Sequence, residues 1–149
     1  MTDAVLRLAR ADDLAGIQAL YLHLNAEDPP AEADEAGPAW DSLLNSGLTT
    51  VLVAEIGGLL AASCTLVVIP NISRGAKPYA LIENVVTHAD HRRTGLGHAV
   101  LAAALDRAWD AGCYKVMLAT GSKQEGTLRF YEGAGFERGG KTFFQIRRP

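Results

Sequence analysis

No apolar run in this sequence approaches the length of a membrane-spanning helix. The longest, Leu59 to Ile69, is interrupted by Ser63, Cys64 and Thr65, and it falls far short of the ~20 apolar residues a bilayer requires. Excess positive charge is missing as well. Fourteen Lys and Arg stand against 17 Asp and Glu, a formal charge of −3, so no global basic field argues for nucleic acid. Cysteine is scarce: Cys64 and Cys113 lie in AASCTLVV and AGCYKVML, too few for a disulfide framework and set like reduced core thiols. The opening MTDAVLRL is acidic and lacks the charged-then-apolar order of a secretory leader. These absences together point to the cytoplasm. Low-complexity tracts and internal repeats are also missing. What is present, 149 residues at 48% hydrophobic and 21% charged, suits a single domain, 1–149, with a real core.

Val5 to Arg10 alternates apolar and polar residues, as a half-buried strand does. Asp12 or Asp13 can cap a helix whose Leu14, Ile17, Leu20, Tyr21 and Leu24 follow the 3.6 period. Glu27 to Pro38 is acidic and proline-rich, and reads as a mobile loop before a short helix around Trp40 to Leu44. Thr50 to Ile56 and Leu59 to Ile69 read as strands joined by a Gly57-Gly58 hairpin turn. Pro70 to Pro78 is a loop by composition. A strand at Ala80 to Thr87 precedes a helix from Gly95 to Ala111, which ends at Gly112. A strand over Lys115 to Ala119, a helix over Glu125 to Gly133 and a last strand over Phe143 to Ile146 complete the chain. Hairpins first and strand–helix–strand units later give an α/β fold: three layers, α/β/α, around a mixed, mostly antiparallel sheet.

The stretch ALIENVVTHADHRRTGLG, Ala80 to Gly97, holds the chemistry. Leu81, Ile82, Val85 and Val86 suit a buried strand, yet Glu83 and Asn84 interrupt them. A carboxylate inside a covered strand costs several kcal/mol unless it is satisfied. The strand runs into RRTGLG, a glycine turn at a helix start. There the N–H groups lack helix partners, the dipole adds positive charge, and glycine lets an anion approach the main chain. That is a pyrophosphate cradle, with Arg92 and Arg93 beside it. A Walker loop would need a lysine after Gly97, and a Rossmann fingerprint a third glycine where Val100 stands. The plain alternative is a flexible turn with incidental arginines. His88 and His91 have H-x-x-H spacing with no further ligand nearby, so no metal site is expected.

R-x-x-G-x-G after such a strand resembles the acetyl-CoA signature of the GNAT superfamily of N-acetyltransferases. LRFYEGAGF, Leu128 to Phe136, is similar to that family's second signature, a short helix carrying a tyrosine before Gly-Phe. The order of elements fits from Val5 to Ile146. Within the superfamily the glucosamine-phosphate N-acetyltransferases look nearest, through the IE-x-VV strand, the GCYK strand start and the FYE-x-x-GF helix. The chain departs from them in a longer loop, ATGSKQEG (119–126), without their acidic residue beside the site. It also carries Gln124 where many members have a cofactor-binding asparagine.

The resemblance implies that Arg92, Arg93, Thr94, Gly95, Leu96 and Gly97 hold the pyrophosphate of acetyl-CoA, with Gln124 also at the cofactor. Main-chain groups of Val85, Val86 and Thr87 would bind the pantetheine arm, which requires their strand to splay from its neighbour. It implies that Tyr131 protonates the leaving thiolate; the alternative is a core tyrosine. Glu83, desolvated in a cleft, would take the proton of the incoming amine, or else pair with a nearby cation. The expected partners are acetyl-CoA and a small primary amine, whose anionic group Arg74 and Lys77 of the 70–78 loop could receive. A protein amine as acceptor and a non-catalytic acyl-CoA-binding module are the alternatives, and a homodimer could complete the pocket.

Overall fold

The computed structural model describes residues 3–149. The chain divides into two compact units, one ending at Leu118 and the other spanning Ala119–Pro149.

The first unit is built on a five-stranded sheet in sequential order: β1 (Val5–Leu8), β2 (Thr49–Ile56), β3 (Leu59–Ile69), β4 (Tyr79–Thr87) and β5 (Val116–Met117). β1 to β4 pair antiparallel, and β5 joins β4 in parallel. The sheet is therefore mixed and mostly antiparallel, as expected. Gly57 and Gly58, both with positive φ, make the hairpin turn between β2 and β3, where a side chain would be strained.

Helices cover both faces. α1 (Leu14–Tyr21) and α2 (Ala33–Asn45) pack Ile17, Leu20 and Trp40 against Val51, Val53 and Val86. On the other face α4 (Leu96–Asp110) buries Val100, Leu101, Ala104 and Ala108, and the Cys64 thiol meets the Val100 carbonyl at 3.6 Å. Fully buried side chains such as Leu20, Leu66, Ile82 and Leu101 contribute about 1.5–3 kcal/mol each. At the sheet edge Arg7 makes a two-pronged ion pair with buried Asp13, at 2.7 and 2.9 Å, and Asp13 also accepts from the Arg10 N–H. That pairing holds the Asp13 carboxyl below its usual range.

Four elements differ from the sequence reading. α2 begins at Ala33 rather than near Trp40, so the second half of the acidic loop is helical. Asp34 and Glu35 fall in its first turn, where the helix dipole favours negative charge. Pro38 lies inside that helix and leaves only the Asp34 carbonyl without its helix partner. The 70–78 loop contains one irregular turn, α3 (Ser73–Ala76), with Arg74 and Gly75 left-handed. β5 is two residues long, not five. Phe143 to Ile146 forms no strand, and Phe143, Phe144 and Ile146 are exposed. An alternating segment becomes a strand only beside a ladder partner, and among the described residues none pairs with it.

The second unit carries α5 (Glu125–Gly133). Its start is organised by Ser122, whose hydroxyl accepts from the Gln124 N–H (3.2 Å) and bonds Thr127 (3.0 Å).

Candidate active site

β4 explains itself through its two edges. Toward β3 the ladder is complete but irregular: Glu83 faces Thr65 and Val86 faces Ser63, leaving two residues of β4 opposite Cys64. This bulge places Asn84 at φ 53, a left-handed conformation that asparagine tolerates better than most side chains. Toward β5 only Ala80 and Leu81 are paired. From Ile82 to Thr87 the second edge of β4 is open in the described structure. Pairing with β5 thus ends before the segment where the splay is expected, while Val86 and Thr87 stay paired with Ser63 and Ala62 on the other edge. The Thr87 carbonyl also accepts from Arg92 Nε at 3.3 Å.

Glu83 requires a correction. It is exposed, so the desolvation expected for it is absent and the burial cost does not arise. Its position is still informative. Residues opposite each other in an antiparallel pair share a face, so Glu83 lies on the Thr65 face. Tyr21 of α1 reaches that same face, its hydroxyl near the side chains of Thr65 and Asn84. Thr65 Oγ1 is buried without a partner in hydrogen-bond geometry, so the approach of Tyr21 to it falls short of a bond. Burial pushes the Tyr21 phenol up, against the opposing effect of Thr65 and Asn84.

The glycine turn follows β4 and a single 3-10 turn, Ala89–His91. Arg93 (φ 61) and Gly95 (φ 87) are both left-handed, and Gly95 is the N-cap of α4 without any side-chain cap. Among the described hydrogen bonds none is donated by the main-chain N–H of Arg93 through Gly97. Alternating left- and right-handed residues turn successive N–H groups into a concave, anion-binding surface. Gly97 is buried and Gly95 exposed, and a Cβ at Gly95 would meet nothing within 4 Å. A side chain at Gly95 would thus meet no clash, and the left-handed backbone alone is what favours glycine there.

Arg92 does something the sequence reading did not anticipate. Its guanidinium donates to the Thr87 carbonyl and, at 3.2 Å, to the His23 carbonyl at the end of α1. His23 Nδ1 in turn accepts from the Ala89 N–H (3.2 Å), and its ring lies 4.0 Å from that of His88. Burial, with His88 and Arg92 adding to it, lowers the His23 pKa. His23 therefore keeps Nδ1 as an acceptor and helps fix the approach to the cradle, a role its isolated position in sequence did not signal.

Between α1 and α2 lies a cavity of about 340 Å³. Leu14 and Ile17 of α1, Pro29 and Pro30 of the connecting loop, and Trp40 and Leu43 of α2 form its apolar wall, and Tyr21 and Asn84 also line it. Asn84 brings it to the bulge of β4. Arg74 and Lys77, expected near the acceptor, do not line it. Arg74 stacks 5.6 Å from the Tyr114 ring beside the start of β4. Lys77 is seven positions before Asn84, roughly 23 Å along an extended strand.

In the second unit Tyr131 lies on α5, half-buried, with its ring edge-on to Phe130 and Phe136 at 5.0 and 6.4 Å. Gln124 is the exposed N-cap of that helix.

A strand opened on one edge, leading through an uncapped glycine turn into a long helix, is the arrangement of an acetyltransferase. Residues 6–136 match the Acetyltransferase (GNAT) family, and the chain belongs to that family, as an acyltransferase. Over 140 residues it is 34% identical to glucosamine 6-phosphate N-acetyltransferase of Trypanosoma brucei brucei, covering 91% of this chain and 92% of the relative. A solved structure assigned as an acetyltransferase, from Agrobacterium tumefaciens str. C58, is 43% identical, with a TM-score of 0.92 over 97% of this chain and 99% of that one. Glucosamine-6-phosphate N-acetyltransferase from Arabidopsis thaliana shares the fold at 22% identity, with a TM-score of 0.85 over 96% of this chain and 97% of that one.

Proposed function

We propose that the enzyme transfers the acetyl group of acetyl-CoA to the primary amine of a small molecule by direct attack. The observation that carries this reading is the continuity of β4's open edge with the N–H turn of α4. A nucleotide-linked thioester needs both, one for its extended arm and one for its diphosphate. We treat the two units as one acetyltransferase domain because the family match runs across both.

In this reading the turn from Arg92 to Gly97 holds the pyrophosphate, Arg93 and Thr94 through their main chain. Arg92 serves by bracing β4 against α1. An N–H on the open edge around Val85 to Thr87 polarises the acetyl carbonyl, and Gln124 adds a polar contact to the cofactor. Bound acetyl-CoA supplies an activated thioester, so a C–N bond forms as the C–S bond breaks. Glu83, on the Thr65 face beside the cavity, takes the amine's proton directly or through water, and exposure does not prevent that. Tyr131 gives a proton to the departing thiolate. A small acceptor fits the cavity volume, which lies at the low end of the ~300–1,000 Å³ of ligand pockets. We also take the cytoplasm as its compartment, because both cysteines are free and buried, as in a reducing environment. Thiol release from acetyl-CoA over a panel of amines and lysine-bearing peptides tests the proposal. Faster kcat/KM for small amines is expected; a tenfold preference for peptides would overturn it.

A further inference from the structure

The cavity between α1 and α2 has a composition that restricts what it can hold. Ten of its 15 lining residues are Leu, Ile, Ala, Pro or Trp, and no Lys or Arg is among them. Its one charged lining residue is Asp28, in the loop between the helices. Tyr21 and Asn84 bring polar groups to the cavity, the latter from the bulge of β4. Of the cations that flank β4, Arg74 and Lys77 sit at that strand's other end, and Arg92 is engaged by the Thr87 and His23 carbonyls.

We propose that this cavity is the acceptor subsite and that it selects a primary amine with an apolar, unphosphorylated body, such as an aryl- or alkylamine. The inference rests on the acetyl-transfer reading above and goes beyond it by naming the acceptor's chemistry. An apolar body gains from leaving water against Leu14, Ile17, Trp40 and Leu43. A phosphate placed there would leave water for a lining that holds no cation and one carboxylate, Asp28, which is the costly arrangement. The ammonium group, by contrast, is attracted by Asp28 and met by the Tyr21 and Asn84 polar groups. The amine nitrogen is thereby delivered to the β4 side of the cavity, where Glu83 shares the face. Similarity to a protein named for glucosamine 6-phosphate makes this a discriminating claim, because that substrate carries the very group the lining disfavours.

The test compares kcat/KM for 2-phenylethylamine and glucosamine 6-phosphate at saturating acetyl-CoA. The aryl amine is expected to win by tenfold or more. Ala39→Arg changes an exposed position of α2 on the cavity rim to a good helix former, and adds a cation there. It should cut kcat/KM for the aryl amine at least fivefold and raise it for the phosphorylated sugar. A wild-type preference for the sugar phosphate, or an Ala39→Arg enzyme unchanged for both, overturns the assignment while leaving acetyl transfer intact. If neither amine is acetylated, acetyl transfer to small amines is what fails, and the cavity is read by binding instead. Trp40 lines it, so in a Trp109→Phe background 2-phenylethylamine should quench fluorescence saturably, and less so with Ala39→Arg. No saturable quenching would refute the subsite.

Discussion

Replacing Gly95 by alanine separates the cradle's backbone geometry from its ligand contact, provided Gly112→Ala is measured beside it. Both glycines are left-handed, φ 87 and 85, and an added Cβ would meet nothing within 4 Å at either. Each substitution therefore costs only the conformational term, about 1–2 kcal/mol for an L-residue in that region. For a chain of 149 residues that is a fall in Tm of roughly 2–8 °C, at about 2–4 °C per kcal/mol. The two sites cap opposite ends of α4, whose 15 residues span about 22 Å. Only Gly95 stands where the diphosphate would meet the main chain. Gly95→Ala should weaken acetyl-CoA by tenfold or more, about 1.4 kcal/mol, while Gly112→Ala leaves affinity unchanged. Thermal denaturation with acetyl-CoA at one hundred times the wild-type Kd reads both. The ligand should add about 2.7 kcal/mol of stability to wild type and to Gly112→Ala, and about half that to Gly95→Ala. Equal losses of affinity would mean that binding follows helix stability rather than the turn. Full affinity in a destabilised Gly95→Ala would remove the turn from the binding site.

Glu83→Gln should lower kcat and abolish or shift the acidic limb of the rate–pH profile, with acetyl-CoA affinity little changed by calorimetry; an unaltered profile assigns the proton to water. Tyr131→Phe should reduce kcat by about 10²–10⁴-fold while circular dichroism reports the same fold, and a fully active but less stable variant would make it a packing residue. Asp13→Asn should cost about 1.5–3 kcal/mol at neutral pH by removing charge-assisted bonds to Arg7, which keeps its pairing with Glu55. Because the folded Asp13 pKa lies below its unfolded value, its contribution is present above about pH 4 and is lost as pH falls through the folded pKa. The denaturant midpoint of Asp13→Asn should therefore fall less steeply than wild type between about pH 5 and pH 2. Burial pushes the Cys64 thiol up to about 12, so the native protein should resist iodoacetamide at that residue until unfolded, as peptide mapping would show.

What could be read from sequence was whatever depends on neighbours along the chain. The Gly57-Gly58 hairpin, the strand–RRTGLG–helix unit and the end of α4 at Gly112 each carry their cause within a few residues. The start of α2 is hidden in the sequence because three prolines and a run of carboxylates over Glu27 to Pro38 are loop signals locally. Its apolar contacts, such as Trp40 in the cluster with Val51 and Val53 of the sheet, are set by tertiary packing. Phe143 to Ile146 shows the reverse error, an alternating pattern with no ladder partner among the described residues. At the site, Glu83 was located but its burial was not, since exposure depends on what crosses above a strand. Tyr21 was absorbed into a helical core stripe, because nothing local marks a hydroxyl that reaches Asn84 sixty-three positions later. The tie from Arg92 to His23 is equally non-local.

The bulge in β4 has a consequence for how this enzyme can change length. Glu83 and Val86 lie on one side of the sheet although three positions separate them, because Thr65 and Ser63 opposite are two apart. Everything after Asn84 thus follows the opposite parity from everything before it. Deleting either Asn84 or Val85 would leave Glu83 and Val86 two apart and restore uniform alternation, with Val86 still opposite Ser63 and still in the cluster with Ile17 and Val53. Surface connections such as 70–78 can gain or lose residues without disturbing that phase. At 84–85 a single-residue deletion should therefore spare the fold and remove the left-handed kink at Asn84, whereas a deletion elsewhere in β4 would turn part of the strand over.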